Sequence, residues 1–200
     1  MTKRTLMLAA CIGLSACSSP VTHYYTLQDI APSAPVRAAA PSFQFEMLSV
    51  RMPVQVDQPQ LVVRQDQGNL AILENDRWSA PLADEFHDAL TDRLERQLGT
   101  RDLAGLPKDT QRAIVSVQTD VRRFDSLPGQ YALVDVVWSL GLRGGAQPRR
   151  TLTCASQIRE AAGVELSSVV VAHQRVIDQL AKQIATTARQ WAQGSGGCPS

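Results

Sequence analysis

The stretch WSAPLADEFHDALTDRLERQLG, residues 78–99, predicts a long amphipathic helix. Ser79 is a candidate N-cap, Pro81 suits the first turn, and Asp84 and Glu85 favour the positive end of the helix dipole. Gly99 is typical of the position that ends a helix. Apolar residues recur every four positions along this stretch: Trp78, Leu82, Phe86, Leu90, Leu94 and Leu98. A helix with one apolar stripe has to bury that stripe against another element.

Segments on both sides of this helix alternate between apolar and polar residues, as β-strands do. Before the helix, residues 43–51 predict one strand, and residues 60–64 and 69–73 predict a hairpin around the polar turn QDQG. After the helix, three sets of residues each share one strand face: Ala113, Val115, Val117 and Val121; Ala132, Val134, Val136, Trp138, Leu140 and Leu142; Leu152, Cys154 and Ile158. A last apolar stripe predicts a second helix over about residues 168–192, with these members: Leu166, Val169, Val170, His173, Ile177, Leu180, Ile184, Ala188 and Trp191.

The order of elements is strands, helix, three strands, helix. Two long helices with one apolar stripe each are best buried against a sheet, and period-two alternation is typical of antiparallel meanders. The sequence therefore predicts an α/β (α+β) fold: a single domain over residues 23–193, with a mixed, mainly antiparallel sheet and two long amphipathic helices packed on it. The Gly/Ser-rich residues 194–200 predict a flexible C-terminal tail.

The N-terminus has the pattern of an export signal. Lys3 and Arg4 precede an apolar run that is too short to cross a bilayer, and small residues follow that run. The sequence LSAC, residues 14–17, resembles the lipobox of bacterial lipoproteins. We therefore expect residues 1–16 to be a lipoprotein signal peptide, Cys17 to carry the lipid anchor, and residues 17–22 to form a tether.

Two alternatives to this interpretation stay open. The sequence LAAC, which ends at Cys11, also fits the lipobox pattern, but cleavage there would leave an apolar segment shorter than usual. A plain signal peptide cut without lipidation is the second alternative. Ser18 follows Cys17 where an Asp would resemble the signal for retention at the inner membrane, so the resemblance favours the outer membrane.

The charge balance argues against nucleic acid as a partner. Loss of residues 1–16 removes two basic residues and leaves 18 basic against 19 acidic residues, a formal charge of −1. A nucleic-acid-binding surface needs a clustered basic footprint. The same balance argues against strong electrostatic attachment to anionic lipid.

The remaining cysteines fit an oxidising compartment. Cys154 and Cys198 form an even pair once Cys11 is cleaved away and Cys17 is acylated, which makes them a candidate disulfide. The alternative is a buried thiol at Cys154 and an unpaired Cys198 in the tail.

The first aromatic segment decides how far the domain can move from its anchor. HYYTL, residues 23–27, has the composition of a short strand, and residues 31–42 read as a Pro/Ala/Ser-rich loop. If the strand docks into the sheet, the free tether is about six residues long and spans roughly 20 Å at full extension. If it is loose, the reach grows to roughly 80 Å.

No motif in the sequence predicts catalysis or a metal site. His87 near Asp84 and Asp88 fits a solvated helix face, and His173 within an apolar stripe fits a buried structural histidine. His23 has no neighbouring ligand pattern, and the chain lacks HExxH, paired CxxC, GxSxG and P-loop motifs. We expect no catalytic residue, no metal and no cofactor besides the N-terminal lipid.

Several segments together resemble the ABC-type transport auxiliary lipoproteins, the PqiC/YmbA-like family. They are CSSPVTHYYTL (17–27), VDQPQLVVR (56–64), DRWSAPLADEFHDALTDRLERQLGT (76–100), VSVQTDVRRFD (115–125) and SSVVVAHQRVIDQLAKQIA (167–185). The resemblance implies a non-enzymatic lipoprotein on the periplasmic face of the outer membrane, held by diacylglycerol and an N-acyl group such as palmitate. It also implies an MCE-domain protein of a lipid transport complex as partner, and a possible homo-oligomer.

Two further functions remain open at this stage. One is an envelope interaction lipoprotein that regulates a cell-wall enzyme or another periplasmic enzyme. The other is a periplasmic hydrolase, which would need a pocket with convergent polar groups.

Overall fold

The computed structural model describes residues 20–29, 40–145 and 148–199, and these form seven strands and two helices. The predicted signal peptide, Cys17 and most of the predicted tether lie outside the described residues. In chain order the elements are β1 His23–Tyr25, β2 Gln44–Arg51, β3 Gln60–Arg64, β4 Leu70–Trp78, α1 Leu82–Leu98, β5 Ile114–Leu127, β6 Tyr131–Arg143, β7 Arg150–Ala161 and α2 Leu166–Ala192.

A four-stranded sheet in the order β2-β5-β6-β7 forms the centre of the fold. β2 pairs parallel to β5, whereas β5, β6 and β7 form an antiparallel meander. The three alternating segments of the sequence thus become neighbouring strands. The side chains expected on one face are the buried ones in β6, where Ala132, Val134, Val136, Trp138, Leu140 and Leu142 are at most 1 % exposed.

Both helices cover this face of the sheet. α2 packs on β5, β6 and β7, and α1 packs on α2 and β2. The predicted stripes supply the core between them, including Leu90, Leu94, Ile177 and Leu180, which are fully buried. Together with the mainly antiparallel pairing, this packing confirms the predicted α+β fold class.

Strands β1, β3 and β4 form a separate three-stranded sheet in the order β1-β4-β3. The prediction of one sheet is therefore corrected to two. β2 ends at Arg51, and its ladder with β5 ends at Asp120. Beyond that point β3 lies beside β5, but a side-chain bond from Arg64 to Asp125 joins them instead of a backbone ladder.

The start of α1 also differs from the prediction. The helix begins at Leu82, and its N-cap residue, Pro81, has no side chain that can cap it; Asp57 Oδ1 instead accepts a bond from the Ala83 backbone N–H at 3.3 Å. Trp78 belongs to the end of β4 rather than to the helix, because its backbone N–H is bonded to Pro59 O and its ring packs in the core. The predicted end is confirmed: Gly99 has φ 66° and donates its N–H to Glu95 O at 2.8 Å.

Candidate functional site

The N-terminal segment that follows the tether is docked onto the domain. β1 pairs parallel to β4, with His23 beside Asp76 and Tyr25 beside Trp78. The Tyr25 hydroxyl donates to Asp76 Oδ1 at 3.1 Å, and burial together with this bond raises the pKa of Tyr25. Of the two arrangements that the sequence left open for this segment, the structure has the docked one.

A buried carboxylate of α1 holds the residues after β1. Glu85 is 5 % exposed, and its Oε2 accepts bonds from Thr26 Oγ1 and from the Leu27 backbone N–H, both at 2.8 Å. Its Oε1 accepts a bond from the hydroxyl of Ser79. The residue expected to cap α1 thus bonds a side chain one turn into the helix. Hydrogen bonds to an ionised acceptor are stronger than neutral ones, so this carboxylate fastens the segment firmly.

Arg93 holds the end of the same segment from two turns further along α1. Its side chain is 1 % exposed, bonds Ala89 O at 2.9 Å and Leu27 O at 3.3 Å, and pairs with Asp29 Oδ1 at 2.8 Å. Burial lowers the pKa of the Arg93 guanidinium, and the charge of Asp29 opposes this effect. Arg96 adds a second ion pair to Asp29 at 3.1 Å.

α2 completes the contact with this segment. Gln174 Nε2 donates to Thr26 O and to Gln28 O, both at 3.1 Å. Leu27 is fully buried in the core between these polar contacts. Both helices therefore hold the stretch through which a lipid anchor at Cys17 would be connected to the domain.

The sequence contains a pattern related to the polar contacts that hold residues 26–29, but the apolar periodicity alone does not reveal it. Glu85, Ala89 and Arg93 follow one another at four-residue spacing and lie beside the apolar stripe of α1. Opposite charges in such a line are usual on a solvated helix face, but beside an apolar stripe they also fit buried groups that are paired with a polar partner. From its position near the start of the helix, Glu85 is predicted only to interact with the helix dipole.

The structure joins Cys154 and Cys198 in a disulfide, with Cα atoms 5.3 Å apart. Cys154 is buried in β7, and Cys198 lies in the segment after α2 for which the sequence predicted a flexible tail. The bridge therefore ties this segment to the edge strand of the four-stranded sheet.

The histidine of the second apolar stripe is a core residue. His173 is fully buried, stacks on Phe124 with ring centroids 3.9 Å apart, and its Nε2 lies 2.8 Å from Ser126 Oγ. Burial lowers the pKa of His173 to about 3, with a small opposing effect of Asp125. A serine and a histidine at this distance resemble part of a catalytic triad. Nδ1 has no partner within the described part of the chain, however, and both side chains are enclosed by the core.

A small groove lies between β3, β5 and the turn after β2. Its volume is about 230 Å³, below the usual range for sites that enclose a drug-sized ligand. Asp125 forms its floor and bonds Arg64 Nε at 2.9 Å and Arg123 at 2.7 Å. Burial would raise the pKa of Asp125, but the bonds from these two arginines outweigh burial and lower it. Asp125 is thus shared by two arginines, and Arg122, which pairs with Asp120, lines the groove as well, so basic groups outnumber acidic ones here.

The other histidines lie at the surface. His23 Nδ1 is 3.3 Å from Asp76, and His87 Nδ1 is 3.0 Å from Asp88. Within residues 20–29, 40–145 and 148–199 there is no group of three or more His, Cys, Asp or Glu side chains placed to hold a metal ion. Over the same ranges, neither helix combines the length and the apolar character needed to cross a bilayer.

Comparison with known proteins identifies the family to which the chain belongs. The profile of the family described as ABC-type transport auxiliary lipoprotein component matches residues 25–185. This match begins inside β1 and ends in α2, so it covers nearly the whole domain. The chain belongs to this family of transport-associated lipoproteins. No curated protein sequence matches it.

Solved structures share the fold at low sequence identity. The chain is similar to a crystal structure described as an uncharacterized protein, with a TM-score of 0.64 and 15 % identity over 84 % of this chain and 98 % of that one. It is also similar to a protein from Xanthomonas campestris, with a TM-score of 0.57 and 17 % identity over 86 % of this chain and 97 % of that one. At these identities the likeness shows the fold alone.

Proposed function

We propose that this protein is a non-enzymatic lipoprotein of the outer membrane, anchored through acylated Cys17, which serves an ABC-type system for lipid transport between the two membranes. In that role it docks a periplasm-spanning MCE-domain protein at the outer membrane. The observation that carries the proposal is the family match over residues 25–185, which starts eight residues after the lipobox cysteine.

The docked N-terminal segment supports an anchoring role. Glu85 and Arg93 are buried charges used to hold the backbone of residues 26–29, and buried charges are costly unless they are paired. A loose tether would not need such bonds. With them, about six residues separate the acylated cysteine from the first ordered strand, so the domain stays close to the membrane.

Confinement near a membrane strengthens weak contacts with a partner. A tether of roughly 20 Å raises the effective concentration of the domain at the bilayer surface. The tip of a partner that spans the periplasm would then meet a dense array of docking domains. Self-association of this domain would add to the avidity.

Crosslinking in cells tests this function. The native protein is compared with a matched control in which residues 1–17 are replaced by a cleavable signal peptide that is not lipidated. We expect the MCE-domain protein of the same cell to be crosslinked by the anchored protein and several-fold less by the control. Crosslinks to a cell-wall synthase without any to an MCE-domain protein would overturn the proposal in favour of a cell-wall regulator.

A further inference from the structure

We propose that the β3–β4 hairpin is the end of the domain that meets the bilayer, and that Leu70 and Ile72 enter the interfacial region of the membrane. This inference rests on the proposed lipid anchor at Cys17. It assigns an orientation to the domain and a lipid-contacting surface to residues that the family resemblance leaves without a role.

The direction of the first strand sets the side of the anchor. β1 runs parallel to β4, with His23 beside Asp76 and Tyr25 beside Trp78. Because the two strands run the same way, the chain before β1 leaves the domain towards the end where β4 begins. β4 begins at Leu70, directly after the hairpin turn. The anchor and the hairpin tip therefore lie at the same end of the domain.

The lengths of the two segments match. Cys17 is six residues before His23, so its Cα lies at most roughly 20 Å away. Leu70 is six residues before Asp76 along β4, which is about 20 Å in an extended strand. An anchor at Cys17 can therefore reach no further than about the level of Leu70. The acyl chains can enter the bilayer below an upright domain only when the hairpin touches the membrane surface.

Three exposed apolar side chains lie near this end of the domain, beside the polar hairpin turn. Leu70 and Ile72 are 46 % and 51 % exposed, and they share the face that their cross-strand partners Arg64 and Val62 occupy on β3. Val54, in the turn after β2, is 83 % exposed, and its neighbours line the groove beside Leu70. Single exposed apolar residues are common, but three around one end of a domain form a patch that favours an interface.

The charges at this end suit the interfacial region rather than the hydrocarbon core. The Asp66 carboxylate accepts bonds from the backbone N–H groups of Gly68 and Asn69 at 2.8 and 2.9 Å, which orders the turn. Arg64 is paired with Asp125. Arg122 and Arg123 also line the groove beside Leu70 and pair with Asp120 and Asp125, so basic groups outnumber acidic ones there. We expect contact through apolar side chains at headgroup depth, with an added attraction to anionic headgroups that salt weakens.

Fluorescence quenching by lipids tests this orientation. Gln67→Cys places a label on the hairpin turn, and Ala80→Cys places the same label just beyond the opposite end of β4; both positions are exposed. The native cysteines 154 and 198 are joined in the disulfide, so each variant offers one free thiol once Cys17 is acylated. The acylated proteins are inserted into vesicles of phosphatidylethanolamine and phosphatidylglycerol with a quencher attached to the headgroups.

We expect strong quenching of the label at position 67 and at least several-fold weaker quenching at position 80. Equal quenching at the two positions would mean that the domain lies flat, and stronger quenching at position 80 would mean that it is inverted; either result overturns the inference. In a Leu70→Gln/Ile72→Gln variant we expect weaker quenching at position 67 with unchanged flotation with the vesicles. Unchanged quenching in that variant would overturn the apolar contact.

The mass of each sample separates the inference from the proposed function. If the chain isolated from membranes carries no lipid, both the proposed function and this inference fail. If the chain is acylated and floats with the vesicles, but position 67 is not quenched, only the orientation fails. The partner protein is absent from the experiment, so its identity does not affect the result.

Discussion

Acidification should destabilise this protein through one buried side chain, His173. The imidazole is fully enclosed, stacked on Phe124 and bonded to Ser126, and it has no room for a hydration shell. In the unfolded chain the same group has an ordinary pKa near 6.5. Burial lowers the pKa of His173 in the folded state to about 3. Between about pH 6.5 and pH 3, His173 is therefore protonated in the unfolded state but neutral in the folded state.

The sign and size of the effect follow from this difference. A folded pKa below the unfolded value gives stability that is complete above pH 6.5 and is lost as the pH falls towards 3. At pH 5 the unfolded histidine lies about 1.5 pH units below its pKa, which corresponds to about 2 kcal/mol of lost unfolding free energy. Because His173 is fully buried, solvent does not screen this interaction, and the free-energy difference is not reduced for screening. The pKa of Asp125 is lowered, so this carboxylate loses its contribution only in stronger acid.

The assay is denaturant unfolding of the domain at pH 7.5 and pH 5, for the native chain and for His173→Gln. Glutamine can keep a hydrogen bond to Ser126 but does not titrate in this range. We expect the native chain to lose about 2 kcal/mol more than the variant between the two pH values. An equal loss in both proteins would refute the assignment of His173 as the buried neutral group.

Three further changes test the packing around the site. Reduction of the Cys154–Cys198 disulfide, which closes a loop with a sequence separation of 44, should lower the unfolding free energy by about 4 kcal/mol; no change in the denaturation midpoint with reductant would contradict this. Glu85→Ala should lower the unfolding free energy by about 3 kcal/mol, because three hydrogen-bond donors lose their partner. It should also speed amide exchange and proteolysis in residues 23–29, and native-like protection there would contradict the anchoring role. Gly99→Ala should cost about 1 kcal/mol at a φ of 66°, while the control Gly68→Ala, which meets no atom within 4 Å, should be near neutral; equal costs in thermal unfolding would argue against strain at the helix end.

The elements with long, regular periodicity could be predicted from the sequence. β6 alternates between buried and partly exposed residues without interruption over residues 134–143, and α2 keeps one apolar stripe over 27 residues. In such segments the periodicity of the sequence favours the same secondary structure as the packing of the folded chain. The end of α1 at Gly99 was equally readable, because the left-handed conformation there favours glycine.

Pairing between distant segments could not be predicted in this way. The division into two sheets arises because β4 pairs with β1 and β3. The periodicity within a strand carries no information about which strand it pairs with. The start of α1 was wrong for a related reason. Ser79 has the composition of a cap, but its hydroxyl finds the buried Glu85 carboxylate, which is itself fixed by residues nearly sixty positions away.

The candidate site likewise has one part that a local sequence pattern can predict and one part that depends on contacts between distant residues. The lipid anchor at Cys17 stays a prediction from the sequence, which can be made because an export signal is a local pattern of charge, apolar run and small residues. The docking of residues 23–29 depends on Glu85, Arg93 and Gln174 from two helices, and only the folded chain brings these three together. The sequence could therefore predict an anchor, but the structure was needed to show that the segment after the predicted tether is docked on the domain.

The most direct test of this account is the mass of the N-terminal peptide of the protein isolated from bacterial membranes. We expect a peptide that begins at Cys17 and carries diacylglycerol on its sulfur and an acyl chain on its amino group. An unmodified Cys17, or a chain released with the periplasmic contents by osmotic shock, would contradict the account.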